Sequence, residues 1–336
     1  MLEKLREICL INGASGDESR VRDYILSHIR PDSYTIDNLG NLLVFKKGKN
    51  RSAKKIMFAA HMDEVGFMIT DVTSDGFLRF GPVGGVDPRV VIGRQLRLEG
   101  GALGIVGTKA VHQQSPEERK RAPGFDELYI DIGASSAEEA GALAPRGSYA
   151  YFEADFFGFG DGFVKGKALD DRVGCLIMMD MINGEPEFDA WYAFTVQEEI
   201  GARGAKAAAF SIDPDIAIIL ETTTACDIPD VGGSKRVCEL GKGCVVSYMD
   251  KSTVYDRGLY QTAFSAAEKH GIPVQTKTLI AGGNDSGSIH VSRSGVRTCA
   301  LSVPTRYLHS PACVAKHIDI EAVSSLSRVL LNNLAV

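Results

Sequence analysis

Three short apolar runs in this chain each lead into a side chain that can hold a metal ion or a proton. Ile56-Met57-Phe58-Ala59-Ala60 stops at His61, Trp191 to Val196 gives way after one glutamine to Glu198-Glu199, and Ile216-Ala217-Ile218-Ile219-Leu220 runs into Glu221. Apolar runs of this length without polar alternation fit strands buried on both faces, the habit of parallel sheets covered by helices. In such sheets ligands bind in the crevice outside the carboxyl ends of the strands, so residues far apart in sequence converge there. The chain is thereby directed towards an α/β fold with one site along those strand ends.

The rest of the pattern fits a three-layer α/β/α domain. Spacing predicts helices over 171–181, 204–210, 259–269 and 320–334, the third stopped by Gly271 and Pro273, and strands over 191–196, 216–220, 245–248 and 298–303. Near the start, Val21, Tyr24, Ile25, His28 and Ile29 share one helical face, with His28 read as a packed or half-exposed core histidine. A strand over 41–45 follows. Between 66 and 162 the texture changes to short β-like runs, at 90–92, 95–98 and 105–106, separated by Gly-Gly and Asp-Pro turns. This reads as a small β domain inserted between two parts of one α/β domain, 1–65 and 163–336. A length of 336 residues accommodates both units without a staple.

Composition removes several classes of function. Lys plus Arg 37 against Asp plus Glu 43 gives a net charge of −6, which repels nucleic acid and anionic membranes, so small molecules or peptides are the expected partners. No apolar run approaches the roughly 18 residues of a membrane-spanning helix, and the acidic start reads as no secretory leader. The seven cysteines include no Cys-x-x-Cys pair, the pattern of reduced thiols in a cytoplasm. His-Glu-x-x-His, Gly-x-Ser-x-Gly and phosphate-loop motifs are absent.

Singly, each polar residue has an ordinary explanation. A histidine after a strand is commonly structural, and Asp170-Asp171 reads equally well as a helix cap and first-turn acid. Glu198-Glu199 and Glu221 are harder to explain away, because carboxylates behind apolar strands are costly unless compensated. One dinuclear metal site compensates them all, and histidines mixed with carboxylates favour zinc, cobalt or manganese over calcium or magnesium.

His61-Met62-Asp63-Glu64-Val65-Gly66, Ala168-Leu169-Asp170-Asp171-Arg172, Val196-Gln197-Glu198-Glu199-Ile200-Gly201 and Arg306-Tyr307-Leu308-His309-Ser310-Pro311 resemble, in order and spacing, the tetrahedral metallo-aminopeptidases of metallopeptidase family 42. The resemblance spans the chain, including Gly282-Gly283-Asn284-Asp285 and the insert, for which it implies a barrel-like form. It implies two divalent ions, zinc or cobalt, bridged by Asp170, with His61 and Glu221 completing one and Glu199 and His309 the other. Glu198 is then the general base, Asp63 orients His61, and Asp170-Asp171 carries a cis peptide. The implied activity is removal of the N-terminal residue from short peptides by a homo-oligomer, a tetrahedral dodecamer assembled through the insert. Two positions depart from the family pattern: Glu221 stands where Asp is usual, and Asn284 where Thr is. A related dinuclear deacylase or carboxypeptidase is the alternative. A glycosidase, a label some family members have carried, is disfavoured because neighbours in a strand point apart, whereas glycosidase carboxylates face each other across the sugar. A non-enzymatic assembly protein is disfavoured because every proposed metal position holds a residue able to coordinate.

Overall fold

The computed structural model describes residues 1–336. In chain order its strands are β1 Ser33–Ile36, β2 Leu42–Lys46, β3 Ile56–His61, β4 Gly66–Val72, β5 Leu78–Val83, β6 Gln95–Leu98, β7 Leu103–Thr108, β8 Leu128–Asp131, β9 Tyr149–Phe152, β10 Phe157–Phe159, β11 Phe163–Gly166, β12 Ala190–Thr195, β13 Ile216–Thr224, β14 Cys244–Val246, β15 Val274–Thr276, β16 Arg297–Thr305 and β17 Cys313–Lys316. The helices are α1 Leu2–Leu10, α2 Ser19–His28, α3 Ala137–Leu143, α4 Leu169–Asn183, α5 Arg203–Ile212, α6 Arg257–His270, α7 Ser286–Ile289 and α8 His317–Leu334.

Eight strands form one sheet in the order β1-β2-β12-β3-β13-β16-β14-β15, parallel through its centre from β12 to β16. The apolar runs explain why this centre is covered on both sides. Ile56, Phe58 and Ala60 of β3 and Ile216, Ile218 and Leu220 of β13 face a core shared with α1, α2, α4, α6 and α8. Met57 and Ala59 with Ala217 and Ile219 face a second core, shared with α5 and α7. Strand periodicity of two thus produces three layers.

β4 to β9 close into a barrel, β4-β5-β8-β7-β6-β9, between Gly66 and Phe152. Its core is its own: Phe67 meets Phe80 and Phe152 edge-to-face at 5.3 and 5.1 Å. A third sheet, β10-β11-β17, is antiparallel and pairs Gly166 with Cys313. That pairing brings the chain entering α4, which carries Asp170, beside the turn that carries His309.

Three local expectations are corrected. Residues 90–92, expected as a β-like run, instead close a 3-10 turn over Pro88–Val90 and continue as turn, because Asp87 caps the Arg89 N–H and Pro88 occupies the first turn position. His28 is exposed at the end of α2, stacked on Tyr24 with ring centroids 4.1 Å apart, so it is no part of the core. β13 does not stop at Leu220 but runs to Thr224 on the register of β16, which places Glu221 inside the strand opposite Ser302. β3 pairs with β13 only as far as Ala59 and Ile219, and beyond that point the sheet parts, leaving room between His61 and Glu221.

Candidate metal centre

Two groups of side chains meet at the carboxyl ends of β3, β12 and β13. In the first, His61 Nε2 lies 3.3 Å from Asp170 Oδ1 and 3.6 Å from Glu221 Oε1. In the second, His309 Nε2 lies 3.2 Å from Glu199 Oε2 and 3.6 Å from Asp170 Oδ2. Asp170 therefore offers one oxygen to each histidine. Most of these separations are long for a good N–H···O bond. They match the edge of a tetrahedron about zinc, whose nitrogen and oxygen ligands at roughly 2.0–2.1 Å stand about 3.3–3.4 Å apart. Within each group the ligand atoms lie within 4.8 Å of one another.

The surroundings set which ring nitrogen faces inward. His61 Nδ1 lies 3.0 Å from the Asp63 carbonyl, and His309 Nδ1 lies 2.7 Å from the Gly85 carbonyl. A carbonyl can only accept, so both rings carry a proton on Nδ1 and turn Nε2 towards Asp170, the nitrogen left to bind an ion once it is unprotonated. Both sets of donors fit a divalent cation by chemistry as well as spacing.

β3 ends at His61, and two residues on the Asp63 carbonyl meets His61 Nδ1, with the Asp63 carboxylate 3.4 Å away. The same carboxylate accepts the N–H of Glu198 at 3.0 Å, the N–H of Glu199 at 3.1 Å and the Ser15 hydroxyl at 2.6 Å. Gln197, at φ 58°, turns the chain out of β12 so that both N–H groups point to Asp63. Glu198 and Glu199 are thus successive residues of a turn, and Glu199 reaches the second group while Glu198 lines the cavity beside both.

The Asp170–Asp171 peptide is cis. Asp171 turns away, accepting the Gly174 N–H at 3.0 Å, and belongs to neither group. Buried Arg172 ties this helix start to the exit of β3, donating to Met62 O at 2.7 Å and to Ile8 O at 2.6 Å.

Electrostatics identify what the cluster lacks. No lysine or arginine pairs with Asp170, Glu198, Glu199 or Glu221. Burial pushes Glu199 and Glu221 up to about 8 and Glu198 well above the carboxylate range. Burial acts the same way on Asp170, but His309 and His61, facing its two oxygens, outweigh it and hold Asp170 well below its ordinary value. Against burial, the acids around them raise His61 well above the imidazole range and His309 to about 9. Left to itself the site balances charge by holding protons, and dications would take their place.

The cavity in front of the cluster measures about 580 Å³. Three contributors were given no role by the sequence. Gly85, in the loop after β5, supplies the acceptor for His309, and its only signal was a Gly-Gly pair read as a turn. Asp285, buried and accepting the Thr195 hydroxyl at 2.5 Å, adds negative charge near Glu198. Lys277 lines the cavity and gave no signal at all, being a lone lysine after a three-residue strand.

Comparison with known proteins places the chain. The M42 glutamyl aminopeptidase family matches residues 40–326. A putative aminopeptidase of Acetivibrio thermocellus is 40% identical over 324 residues, 95% of each chain. The lysyl aminopeptidase of Pyrococcus furiosus is 35% identical, over 99% of this chain and 97% of its own. Among solved structures, the TET1 peptidase of Pyrococcus horikoshii, which can assemble into a tetrahedron or a large octahedral shell, superposes with a TM-score of 0.85 at 36% identity over 98% of both chains.

Proposed function

The chain belongs to the M42 glutamyl aminopeptidase family and is an aminopeptidase; from that premise we propose that it works at a two-ion site, with His61, Asp170 and Glu221 holding one divalent cation and Asp170, Glu199 and His309 the other. The observation that carries this reading is the division of the two Asp170 oxygens between the Nε2 atoms of His61 and His309. Bound there, the ions supply polarisation of the scissile carbonyl and acidification of a water molecule. The donor set supports zinc or cobalt.

Glu198 belongs to neither ligand group and lines the cavity, which suits it to take the proton of the attacking water and return it to the leaving amine. Burial raises its pKa, as a carboxylate that must give a proton back near neutral pH requires. Asp63 holds the backbone of Glu198 and Glu199 with its carboxylate and the ring of His61 with its carbonyl, so one residue sets the base and both ligand groups in register.

The substrates in this reading are short peptides. Residues 1–65 and 163–336 form the catalytic domain, and 66–162 the domain through which a homo-oligomer, a tetrahedral dodecamer, assembles. A cytoplasmic location is supported by seven free cysteines and by the lack of any helix long and apolar enough to cross a membrane. No observation favours a deacylase, a carboxypeptidase or a glycosidase over this reading.

The test is elemental analysis of desalted protein together with turnover of aminoacyl-anilides. Two ions per chain are expected. Glu198→Gln should keep both ions and lose about a hundredfold in turnover, the scale of a general base, whereas Glu199→Gln should lose metal. Equal metal loss in the two variants contradicts the division of roles.

A further inference from the structure

The turn that carries Glu198 and Glu199 owes its shape to side chains rather than to the sheet. β12 ends at Thr195, and each of the next four backbone N–H groups donates to a buried side-chain oxygen. Val196 donates to Asn41 Oδ1 at 3.0 Å, Gln197 to Glu18 Oε1 at 3.1 Å, and Glu198 and Glu199 to the two oxygens of Asp63. From the other side the start of α5 takes two of the carbonyls, Val196 O by the Gly204 N–H at 3.0 Å and Gln197 O by the Arg203 N–H at 3.1 Å. The turn pivots on Gln197, whose left-handed backbone is costly for a residue with a side chain and persists only where its surroundings hold it. Of the three acceptors, Glu18 is the one that holds the N–H of this residue itself.

Glu18 is built for that contact and not for its own helix. It stands directly before α2, yet its side chain caps no N–H of that helix. Oε1 accepts the Gly16 N–H at 2.8 Å besides the Gln197 N–H, and the residue is only 5% exposed. Gly16 is itself confined: at φ +94°, a Cβ there would stand 2.7 Å from the hydroxyl of Tyr149 in β9, which donates to Ser15 O at 3.2 Å. Ser15 in turn donates its hydroxyl to Asp63. The four residues Ser15-Gly16-Asp17-Glu18 thus brace one carboxylate beneath the turn and supply the other. Burial raises the pKa of Glu18 to about 7 against the N–H groups of Gly16 and Gln197, so near neutral pH it serves as an acceptor in either protonation state.

We propose that Glu18 is a positioning residue of the peptidase reaction: by accepting the Gln197 N–H it fixes the left-handed step that aims Glu198 into the metal cavity. The inference rests on the reading of Glu198 as general base. A base must lie within hydrogen-bond reach of the proton it takes, and a misplacement of about 1 Å costs about a hundredfold in rate. Asp63 pins the N–H groups of Glu198 and Glu199, but the direction from which the chain arrives there is set at Gln197, and Glu18 pins that residue.

The experiment uses full-length metal-loaded protein and aminoacyl-anilides, with metal content and melting temperature measured beside kcat and KM. Glu18→Gln keeps an acceptor oxygen at the same reach and removes the charge, whereas Glu18→Asp keeps the charge and withdraws the oxygens by one methylene. Glu18→Gln should retain most of kcat. Glu18→Asp should lower kcat at least about tenfold, the lower end for disturbing an outer-shell partner, with KM unchanged and two ions retained, the pattern of an interaction that matters only in the transition state. A merely structural role would move the melting temperature and leave kcat per folded molecule alone. Adding Gln197→Gly to Glu18→Asp should recover part of kcat, because glycine takes a left-handed backbone without support, a gain that misfolding does not produce. Wild-type kcat in Glu18→Asp overturns the proposal, and so does the absence of recovery by Gln197→Gly. Equal losses in Glu18→Gln and Glu18→Asp would assign the effect to charge, and loss of an ion in Glu18→Asp would assign it to metal retention; either overturns it too. Wild-type turnover in Glu198→Gln would strike at the general-base reading instead.

Discussion

At the scale of single residues, the site depends on how far each carboxylate reaches. Glu221 projects from within β13, across the gap where β3 and β13 part while β3 stays paired with β12. Aspartate there retains the charge but withdraws the oxygens by about 1.5 Å, one C–C bond, against a metal-bond tolerance of roughly 0.2 Å. Glu221→Asp should therefore change the metal concentration for half activity or the ranking of zinc, cobalt and manganese, and Glu221→Ala should bind one ion fewer than the two expected of the wild type. Metal titration of chelated protein reads both, and two ions held by Glu221→Ala with wild-type affinity would remove Glu221 from the site. The same chelated protein has a pH signature. Glu199 and Glu221 at about 8 and His309 at about 9 are all raised in the folded state. Raised groups stabilise fully below their unfolded values, about 4.3 for Glu and 6.5 for His, and that stability is lost as pH climbs through the folded ones. The melting temperature of chelated protein should fall between pH 6 and 9, and zinc should remove most of the slope. Equal slopes with and without metal would refute the account.

At the scale of elements, the strands of the sheet's centre were legible because burial on both faces writes continuous apolar runs, and so were the helices α5, α6 and α8, whose stops and stripes are local. His61, Glu198, Glu199 and Glu221 were legible because each follows or ends such a run, whereas Asp170, at a helix start, and His309, in the turn before β17, carry no such mark. What hid from the sequence depends on tertiary pairing: the extension of β13 needs β16, and the turn of Glu198-Glu199 towards Asp63 needs the left-handed Gln197. The loop after β5 hid for the same reason. A Cβ on Gly84, at φ +93°, would stand 3.0 Å from Val65 Cγ1 and 3.2 Å from Glu199 Cβ, next to the carbonyl that holds His309. Gly84→Ala should weaken the ion shared by Glu199 and His309 by about tenfold, the cost of disturbing an outer-shell partner. Gly93→Ala is the control, since it has a comparable φ of +73° and open space around its Cβ, and it should cost stability without touching metal affinity. Matching metal titrations for the two variants would dismiss the loop as a support of the site.

At the scale of the whole molecule, the barrel and the catalytic sheet are joined in a way that allows them to be separated. Phe67 pairs with Ala150 across β4 and β9, so the chain enters and leaves the barrel on adjacent strands, and a short linker can close the gap. The barrel's hydrophobic core is distinct from the two cores of the sheet, so its removal opens no cavity in them. Replacing 67–150 by a short linker should therefore leave a folded α/β domain, and, if the barrel mediates assembly, one that light scattering reports as a small particle. The structure adds a second consequence that texture alone did not suggest. Deletion also removes Gly85, the acceptor that holds His309 Nδ1, so the truncated protein should bind the ion of His61 and Glu221 more tightly than the ion of Glu199 and His309. Assembly and catalysis would then be coupled through one loop. A large particle after deletion would move the assembly surface to the α/β domain, and two ions bound with wild-type affinity would show that His309 is held in place without the barrel.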